Sequence, residues 1–164
     1  MRQSKRGKPM PHIPSYLVIA LFTLVSFATS PAQAVGTSDE ASESEVGIPA
    51  YAEAKASIAA GNYIAALPIL LELTADEPTN ADAWNLLGFT QRKLGEFDAA
   101  GVAYDSALTI NPAHLGALEY QGELFLQTGA VDRAKANLET LRGLCGDCEE
   151  FGDLEAALKA AGQS

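Results

Sequence analysis

Histidine and cysteine are scarce in this sequence, and their scarcity removes most catalytic arrangements. The chain has two histidines, of which only His114 follows residue 34. A single histidine leaves no legible Ser-His-Asp or Cys-His arrangement, and the sequence contains neither a phosphate-binding glycine loop nor a zinc-protease signature. The sequence therefore predicts a protein that is not an enzyme, with no catalytic residue, no metal site and no cofactor.

Positive charge is also scarce once the segment 1–34 is set aside. Only 7 of the 11 Lys and Arg residues lie beyond residue 34, whereas all 21 Asp and Glu residues do. A chain with this balance repels nucleic acid and anionic lipid headgroups. We therefore expect a solvated acidic surface and no nucleic-acid partner.

The segment 1–34 has the pattern of a secretory signal peptide. Residues 1–8 are basic, residues 16–28 are mostly apolar, and Ala32-Gln33-Ala34 supplies the small residues of a cleavage site. The apolar run is shorter than the roughly 20 residues that span a bilayer. We predict a periplasmic bacterial protein that starts at Val35 and has no stable membrane insertion after cleavage. The alternative is an inner-membrane anchor through an uncleaved signal.

Two regions follow the predicted signal. Residues 35–46, VGTSDEASESEV, are acidic and rich in serine, with little apolar surface to bury, which predicts a disordered tether. Residues 47–164 are numerous enough for one domain with one continuous core.

One constant interval organises this domain. The step from Gly61 to Gly95 is repeated from Gly95 to Gly129, and we call it the repeat interval. The same interval relates five further sets of residues: Tyr63, Phe97 and Val131; Ala66, Ala100 and Ala134; Leu70, Tyr104 and Leu138; Leu73, Ala107 and Leu141; Pro78 and Pro112. Helical spacing of the apolar residues on both sides of each glycine predicts three helix hairpins, at about 47–80, 81–114 and 115–148.

The middle hairpin resembles a tetratricopeptide repeat. Its signature residues are Trp84, Leu87, Gly88, Ala100, Tyr104, Ala107 and Pro112. Gln91 departs from the pattern, because the family usually carries an aromatic residue there. The resemblance implies an all-α fold, a right-handed superhelical array of three hairpins, in which we expect Trp84 to be largely buried. Phe151, Leu154 and Leu158 at helical spacing predict a C-terminal capping helix at about 149–161.

The resemblance also implies a binding surface. In this family the first helix of each repeat lines a concave groove that binds a peptide or a partner's helix. Carried onto this chain, the groove residues are Tyr51, Lys55, Asn85, Phe89, Arg92, Glu119, Tyr120 and Glu123. Aromatic residues supply contact area there, and Asn and Arg supply orienting hydrogen bonds. The alternative is that Phe89 and Tyr120 pack between neighbouring repeats.

The function implied by the resemblance is a non-catalytic interaction scaffold in the periplasm, whose partner is another envelope protein. Some relatives clamp a C-terminal carboxylate with several Lys, Arg and Asn residues. Glu119 and Glu123 replace much of that positive charge in this sequence, which argues against such a clamp.

Cys145 and Cys148 suggest an alternative function. Their close spacing across a Gly-Asp turn is expected to bring the Cα atoms within the roughly 4.4–6.8 Å that a disulfide requires, and an exported chain enters an oxidising compartment. We therefore predict a structural disulfide. A redox-active or metal-handling accessory protein is the alternative, although no βαβ pattern accompanies the pair and two sulfurs are too few for a closed zinc site.

Overall fold

The computed structural model describes residues 47–163, and the helices of this part of the chain are joined by short turns, with no strand among these residues. Its helices are α1 (Gly47–Ala59), α2 (Tyr63–Asp76), α3 (Ala81–Leu94), α4 (Phe97–Ile110), α5 (Leu115–Gln127), α6 (Val131–Leu144) and α7 (Glu149–Ala160). The predicted all-α class is confirmed. The predicted signal peptide (1–34) and tether (35–46) lie outside the described residues.

The helices pack as three consecutive hairpins followed by α7. The hairpins are α1–α2, α3–α4 and α5–α6, and each packs on the next through α2 against α3 and α4 against α5. Helix α7 packs against both α5 and α6, as expected for a capping helix. None of the helices between residues 47 and 163 is long and apolar enough to cross a membrane.

The three glycines that define the repeat interval form the turns inside the hairpins. Gly61, Gly95 and Gly129 have φ angles of 72°, 83° and 79°, in the left-handed region that glycine adopts without steric cost. After α3, the amide of Gly95 donates to the carbonyl of Arg92, and the amide of Glu96 donates to the carbonyl of Gln91. These bonds satisfy carbonyl groups that the end of a helix leaves unpaired.

Tyr104, rather than Trp84, is the large buried aromatic residue of the middle hairpin. The Tyr104 side chain is fully buried, and a Cβ added at Gly88 would lie 2.7 Å from its ring. Trp84 is only partly buried, contrary to our expectation. Its indole Nε1 donates to the carbonyl of Pro78 at 3.0 Å, because that end of α3 reaches the surface.

The third hairpin and α7 share one apolar cluster. Its buried members are Leu118, Phe125, Ala134, Leu138, Leu141, Leu154 and Leu158. A Cβ added at Gly122 would lie 2.6 Å from a methyl group of Leu154. The absence of a side chain at Gly122 therefore lets α7 approach α5 closely, and this approach determines which α7 side chains stand beside α5.

Side chains at equivalent positions of the repeat begin α3 and α5. Asn80 Oδ1 accepts from the amide of Ala83 at 3.0 Å, and His114 Nδ1 accepts from the amide of Ala117 at 3.2 Å. Because Nδ1 accepts, Nε2 carries the ring proton and donates to Asp82 Oδ1 at 2.9 Å. Both nitrogens of His114 are therefore occupied in capping α5 and tying it to α3.

Candidate functional site

The eight predicted groove residues lie on α1, α3 and α5, and we call them the groove surface. The repeat interval separates Tyr51, Asn85 and Glu119, and it also separates Lys55, Phe89 and Glu123. The groove-surface residues of α3 contact those of α5, through Phe89 with Tyr120 and Arg92 with Glu123. On α1, Lys55 Nζ instead lies 5.7 Å from the centre of the Tyr51 ring as a separate pair. Burial, and then the charge of Asp82, raise the pKa of the Tyr51 hydroxyl.

Three aromatic rings lie side by side here, two from the groove surface and one from α2, and we call them the aromatic cluster. Phe89 lies between Tyr63 of α2 and Tyr120 of α5, with ring centres 6.1 Å and 5.0 Å away. In both pairs the ring planes are inclined to each other, which suits the charge distribution of aromatic rings. Each such pair contributes about 0.5–1.5 kcal/mol to stability beyond the effect of its buried area. All three rings are partly buried, so each keeps an accessible part.

Tyr63 was absent from the predicted groove. It begins the second helix of its hairpin, whereas the family's groove residues were taken only from first helices. Its periodic relation to Phe97 identified it as a repeat position, but a periodic pattern does not say which neighbouring helix a ring touches.

Arg92 is a buried residue of this surface rather than an exposed one. It is 4% exposed, and its guanidinium lies 5.5 Å from the Phe89 ring centre and 5.8 Å from that of Tyr120. Its Nη2 lies 2.5 Å from Glu123 Oε2, and its Nε donates to the Tyr104 hydroxyl at 3.4 Å. Its charge is therefore balanced within the protein, and the side chain connects the core to the groove surface.

Glu119 is buried among like charges. It is 7% exposed and makes no hydrogen bond with another side chain or backbone group of residues 47–163. Burial is the main cause that raises its pKa to about 8, and the charges of Glu123, Asp153 and Glu150 raise it further, against an opposing effect of Arg92. We call these four carboxyl groups the acidic cluster.

The close packing at Gly122 explains why α7 contributes to the acidic cluster. Leu154 reaches Gly122, so Glu150 and Asp153, within one turn of Leu154, come beside Glu119. Sequence reasoning missed both residues because it treated α7 only as a cap. Asp153 nevertheless follows Glu119 by one repeat interval, and that relation was the signal that could have identified it.

Asn85 adds an unpaired acceptor to the groove surface. It is 8% exposed, and its Oδ1 has no hydrogen-bond partner within residues 47–163. Its amide nitrogen lies 3.3 Å from where a Cβ of Gly116 would stand, so the side chain lies against the first turn of α5. A buried acceptor without a donor costs about 1–3 kcal/mol.

An open depression adjoins the Arg92–Glu123 pair. It has a volume of about 430 Å³ and lies between the C-terminal ends of α3, α5 and α7. Lys93 and Glu123 supply charge to its wall, and Ala157, Ala160 and Ala161 supply small apolar groups. The depression is large enough for side chains that extend along the groove surface.

The cysteine pair lies apart from this surface. Cys145 follows α6 and Cys148 precedes α7, with Cα atoms 5.6 Å apart. This separation is within the range that a disulfide requires. In the part of the chain that the structure describes, no three His, Cys, Asp or Glu side chains are grouped so that they could hold a metal ion.

Comparisons with known proteins agree with the repeat interval. The family described as Tetratricopeptide repeat matches residues 81–114. A search of curated proteins found no match.

Several solved structures resemble this chain in fold. The Yersinia enterocolitica type III secretion translocator chaperone SycD has a TM-score of 0.63 and 19% identity, over 70% of this chain and 89% of its own. SycD in complex with a peptide of the translocator YopD has a TM-score of 0.62 at the same identity, over 70% and 90%.

Two further structures carry the same architecture. The TPR2B domain of yeast Sti1, in a complex with pHsp70, has a TM-score of 0.65 and 16% identity, over 70% of this chain and 94% of its own. The first TPR of Spaghetti (RPAP3), bound to the HSP90 peptide SRMEEVD, has a TM-score of 0.63 and 16% identity, over 71% and 93%. The predicted tetratricopeptide repeat fold is confirmed.

Proposed function

Because this chain is a tetratricopeptide repeat protein, we propose that it is a non-catalytic scaffold that binds a peptide or helix of a partner protein on its groove surface. The observation that carries the proposal is the aromatic cluster. Tyr63, Phe89 and Tyr120 come from three different hairpins, contact one another in a row and stay partly exposed. Partly exposed aromatic rings held by their neighbours offer contact area at low entropic cost.

The neighbours in fold support this proposal. SycD was solved with a translocator peptide, and the RPAP3 repeat domain was solved with an HSP90 peptide. Their sequences are too different from this chain to transfer a particular partner, and the groove surface here has its own charge pattern. From these neighbours we therefore transfer to this chain only the general property of peptide binding.

The partner that we propose is another protein of the bacterial envelope. This part of the proposal depends on the signal-like residues 1–34, which lie outside the described residues. Intact mass measurement of the protein from a bacterial host tests it: we expect a chain that starts at Val35 in the periplasmic fraction. A full-length chain that stays with membranes after a salt wash would instead support the uncleaved anchor.

We propose that Cys145 and Cys148 form a structural disulfide, not a reactive site. The cysteine Cα atoms are at a suitable distance, and the pair lies where α6 turns into α7, outside the groove surface. Thiol titration of the native protein tests this assignment. Free, rapidly reacting thiols in protein isolated under trapping conditions would favour the redox alternative.

Alanine substitution in the aromatic cluster tests peptide binding. A displayed library of random peptides selected on the purified protein supplies the probe, and one selected peptide is then synthesised. We expect Phe89→Ala to weaken its binding on the order of tenfold or more, since a central aromatic residue contributes at least about 1.4 kcal/mol to binding.

Val102→Ala is the matched control for this test. Val102 lies on α4 and is 66% exposed, so its truncation removes apolar surface outside the groove surface. Both variants must be compared under conditions where circular dichroism shows them folded. Equal binding by wild type, Phe89→Ala and Val102→Ala would refute the proposed function.

A further inference from the structure

Helix α2 has an apolar face that the other helices of residues 47–163 leave exposed. The residues that α2 buries against its neighbours are Ala66, Leu70, Leu73 and Thr74. On the opposite side of the helix, exposed apolar residues recur at helical spacing, and we call them the apolar stripe: Ile64, Pro68, Leu71 and Ala75. Ile64 is 77% exposed and Leu71 is 49% exposed. A contiguous exposed apolar patch is typical of an interaction site.

The other two hairpins carry charge where the apolar stripe has Ile64 and Leu71. At one and two repeat intervals after these residues the chain has exposed carboxylates: Asp98 and Asp132 after Ile64, and Asp105 and Glu139 after Leu71. The packing of a hairpin in this array therefore does not require an apolar residue at either position. A partner that covers this face of α2 explains the apolar residues, whereas hairpin packing does not.

One edge of the apolar stripe is acidic. Glu72 and Asp76 each follow a stripe residue by one position, so they lie along the same edge of α2. A depression of about 320 Å³ adjoins Pro68 at this edge, and Glu53 of α1 adds a third carboxylate to its wall. No Lys or Arg residue lines the depression, and none of the three carboxylates is in an ion pair within residues 47–163.

This charge distinguishes between the possible occupants of the apolar stripe. A second copy of the chain would bring the same acidic edge to the contact, and α2 has no basic residue to pair with it. Anionic lipid headgroups would be repelled as well. A Lys or Arg side chain, in contrast, can pack its aliphatic part on apolar surface while its charge lies beside a carboxylate.

We propose that the apolar stripe docks an amphipathic helix of a partner protein, and that this helix has a basic edge. Its apolar face covers Ile64 and Leu71, because side chains on one face of a helix recur at the spacing of the stripe. Its Lys or Arg residues meet Glu72 and Asp76. No residue of the apolar stripe belongs to the groove surface or the aromatic cluster, so this docking site goes beyond the proposed function and does not depend on it.

Selection from a displayed library of amphipathic helices tests the proposal. Each member has a leucine face at the spacing of the apolar stripe and random residues along both edges of that face. Members that bind wild type are kept, and those that also bind Ile64→Asp/Leu71→Asp are removed. This double variant gives α2 the carboxylates that the other hairpins carry at the same positions. We expect the selected helices to be enriched in Lys and Arg along one edge and to bind the double variant at least about tenfold more weakly.

Three variants serve as controls, with binding measured at about 0.15 M salt so that distant charges are screened. Val102→Asp makes the same kind of change at an exposed residue of α4 and should alter affinity by less than about twofold. Glu72→Gln/Asp76→Asn keeps the apolar stripe and should weaken binding at least about threefold. Phe89→Ala should leave binding of these helices unchanged. Circular dichroism checks that each variant is folded, and Ile64→Gln/Leu71→Gln replaces the first double variant if aspartate lowers its helicity.

Several results would overturn this docking site. One is a selection that yields no helix able to distinguish wild type from the double variant, or helices without an excess of Lys and Arg. A wild-type dimer that the double variant dissociates in sedimentation equilibrium would show that a second copy covers the stripe. Wild-type protein that floats with neutral phosphatidylcholine vesicles, when the double variant does not, would show that a lipid surface covers it. Loss of helix binding with Phe89→Ala would place the contact on the groove surface instead.

Discussion

The protonation of Glu119 makes a prediction about stability that needs no partner. In the folded protein its pKa is raised to about 8 from an ordinary value of 4.5. Between these two values the folded state holds a proton that the unfolded chain has lost. The free energy of unfolding contributed by this group therefore falls as the pH rises through that window, and the loss levels off above about pH 8.

The size of the effect follows from the shift. Linkage allows at most about 1.4 kcal/mol per pH unit, which is roughly 5 kcal/mol over the whole window. Part of the shift comes from the charges of Glu123, Glu150 and Asp153, which are partly or fully exposed and therefore screened by water, so we expect a smaller effect of about 1–3 kcal/mol.

Glu119→Gln isolates this contribution, because glutamine keeps the shape and carries no titrating proton. Urea unfolding of wild type and variant across about pH 5–9 gives the difference in free energy at each pH, which cancels the titration of the other carboxylates. We expect the variant to gain stability relative to wild type as the pH rises, reaching about 1–3 kcal/mol above pH 8.

The control and the refuting result are both simple. Glu72→Gln, an exposed change of the same kind, should give a difference that does not depend on pH in this way. A flat difference between wild type and Glu119→Gln from about pH 5 to 9 would show that Glu119 ionises normally in the folded protein, and the electrostatic reasoning about the acidic cluster would be wrong.

Three further predictions concern the scaffold. Gly122→Ala should lower the free energy of unfolding by about 1–3 kcal/mol, because the new methyl group would collide with Leu154 of α7. Gly152→Ala is the control: its methyl group meets open space, so it should stabilise the protein by up to about 1 kcal/mol. Equal effects of the two changes in denaturant unfolding would contradict this packing. Trp84→Ala should cost less than the roughly 3–5 kcal/mol of a fully buried tryptophan, since the ring is partly exposed; a larger loss would refute that. Replacing Cys145 and Cys148 by serine should speed amide exchange in α7 while α1 to α4 stay protected; uniform exchange would show that the pair does not restrain α7 locally.

The repeat interval predicted the helices well because it reports local requirements. One glycine in each repeat supplied each left-handed turn, as the φ angles of Gly61, Gly95 and Gly129 confirm. Small and apolar residues at helical spacing then identified the helix faces that pack against neighbouring helices. Each of these signals depends on a few neighbouring residues, so the sequence alone is sufficient to locate the turns and the packed faces.

Burial on the groove surface was harder to predict because it depends on contacts between hairpins. Arg92 was expected to supply orienting hydrogen bonds to a partner, but the rings of Phe89 and Tyr120 and the carboxylate of Glu123 cover it. Trp84 shows the opposite error. Trp84 occupies a signature position of the family. It nevertheless lies near the end of α3 that reaches the surface, so its indole is partly exposed and donates a hydrogen bond to the carbonyl of Pro78.

The burial of Glu119 connects stability with function in this fold. A leucine or glutamine at this position would avoid the cost of a buried carboxyl group among three others, so stability alone does not explain the residue. Natural sequences depart from locally favourable choices mainly at functional sites. The pH dependence of unfolding in Glu119→Gln therefore measures a cost that the free scaffold carries at this position.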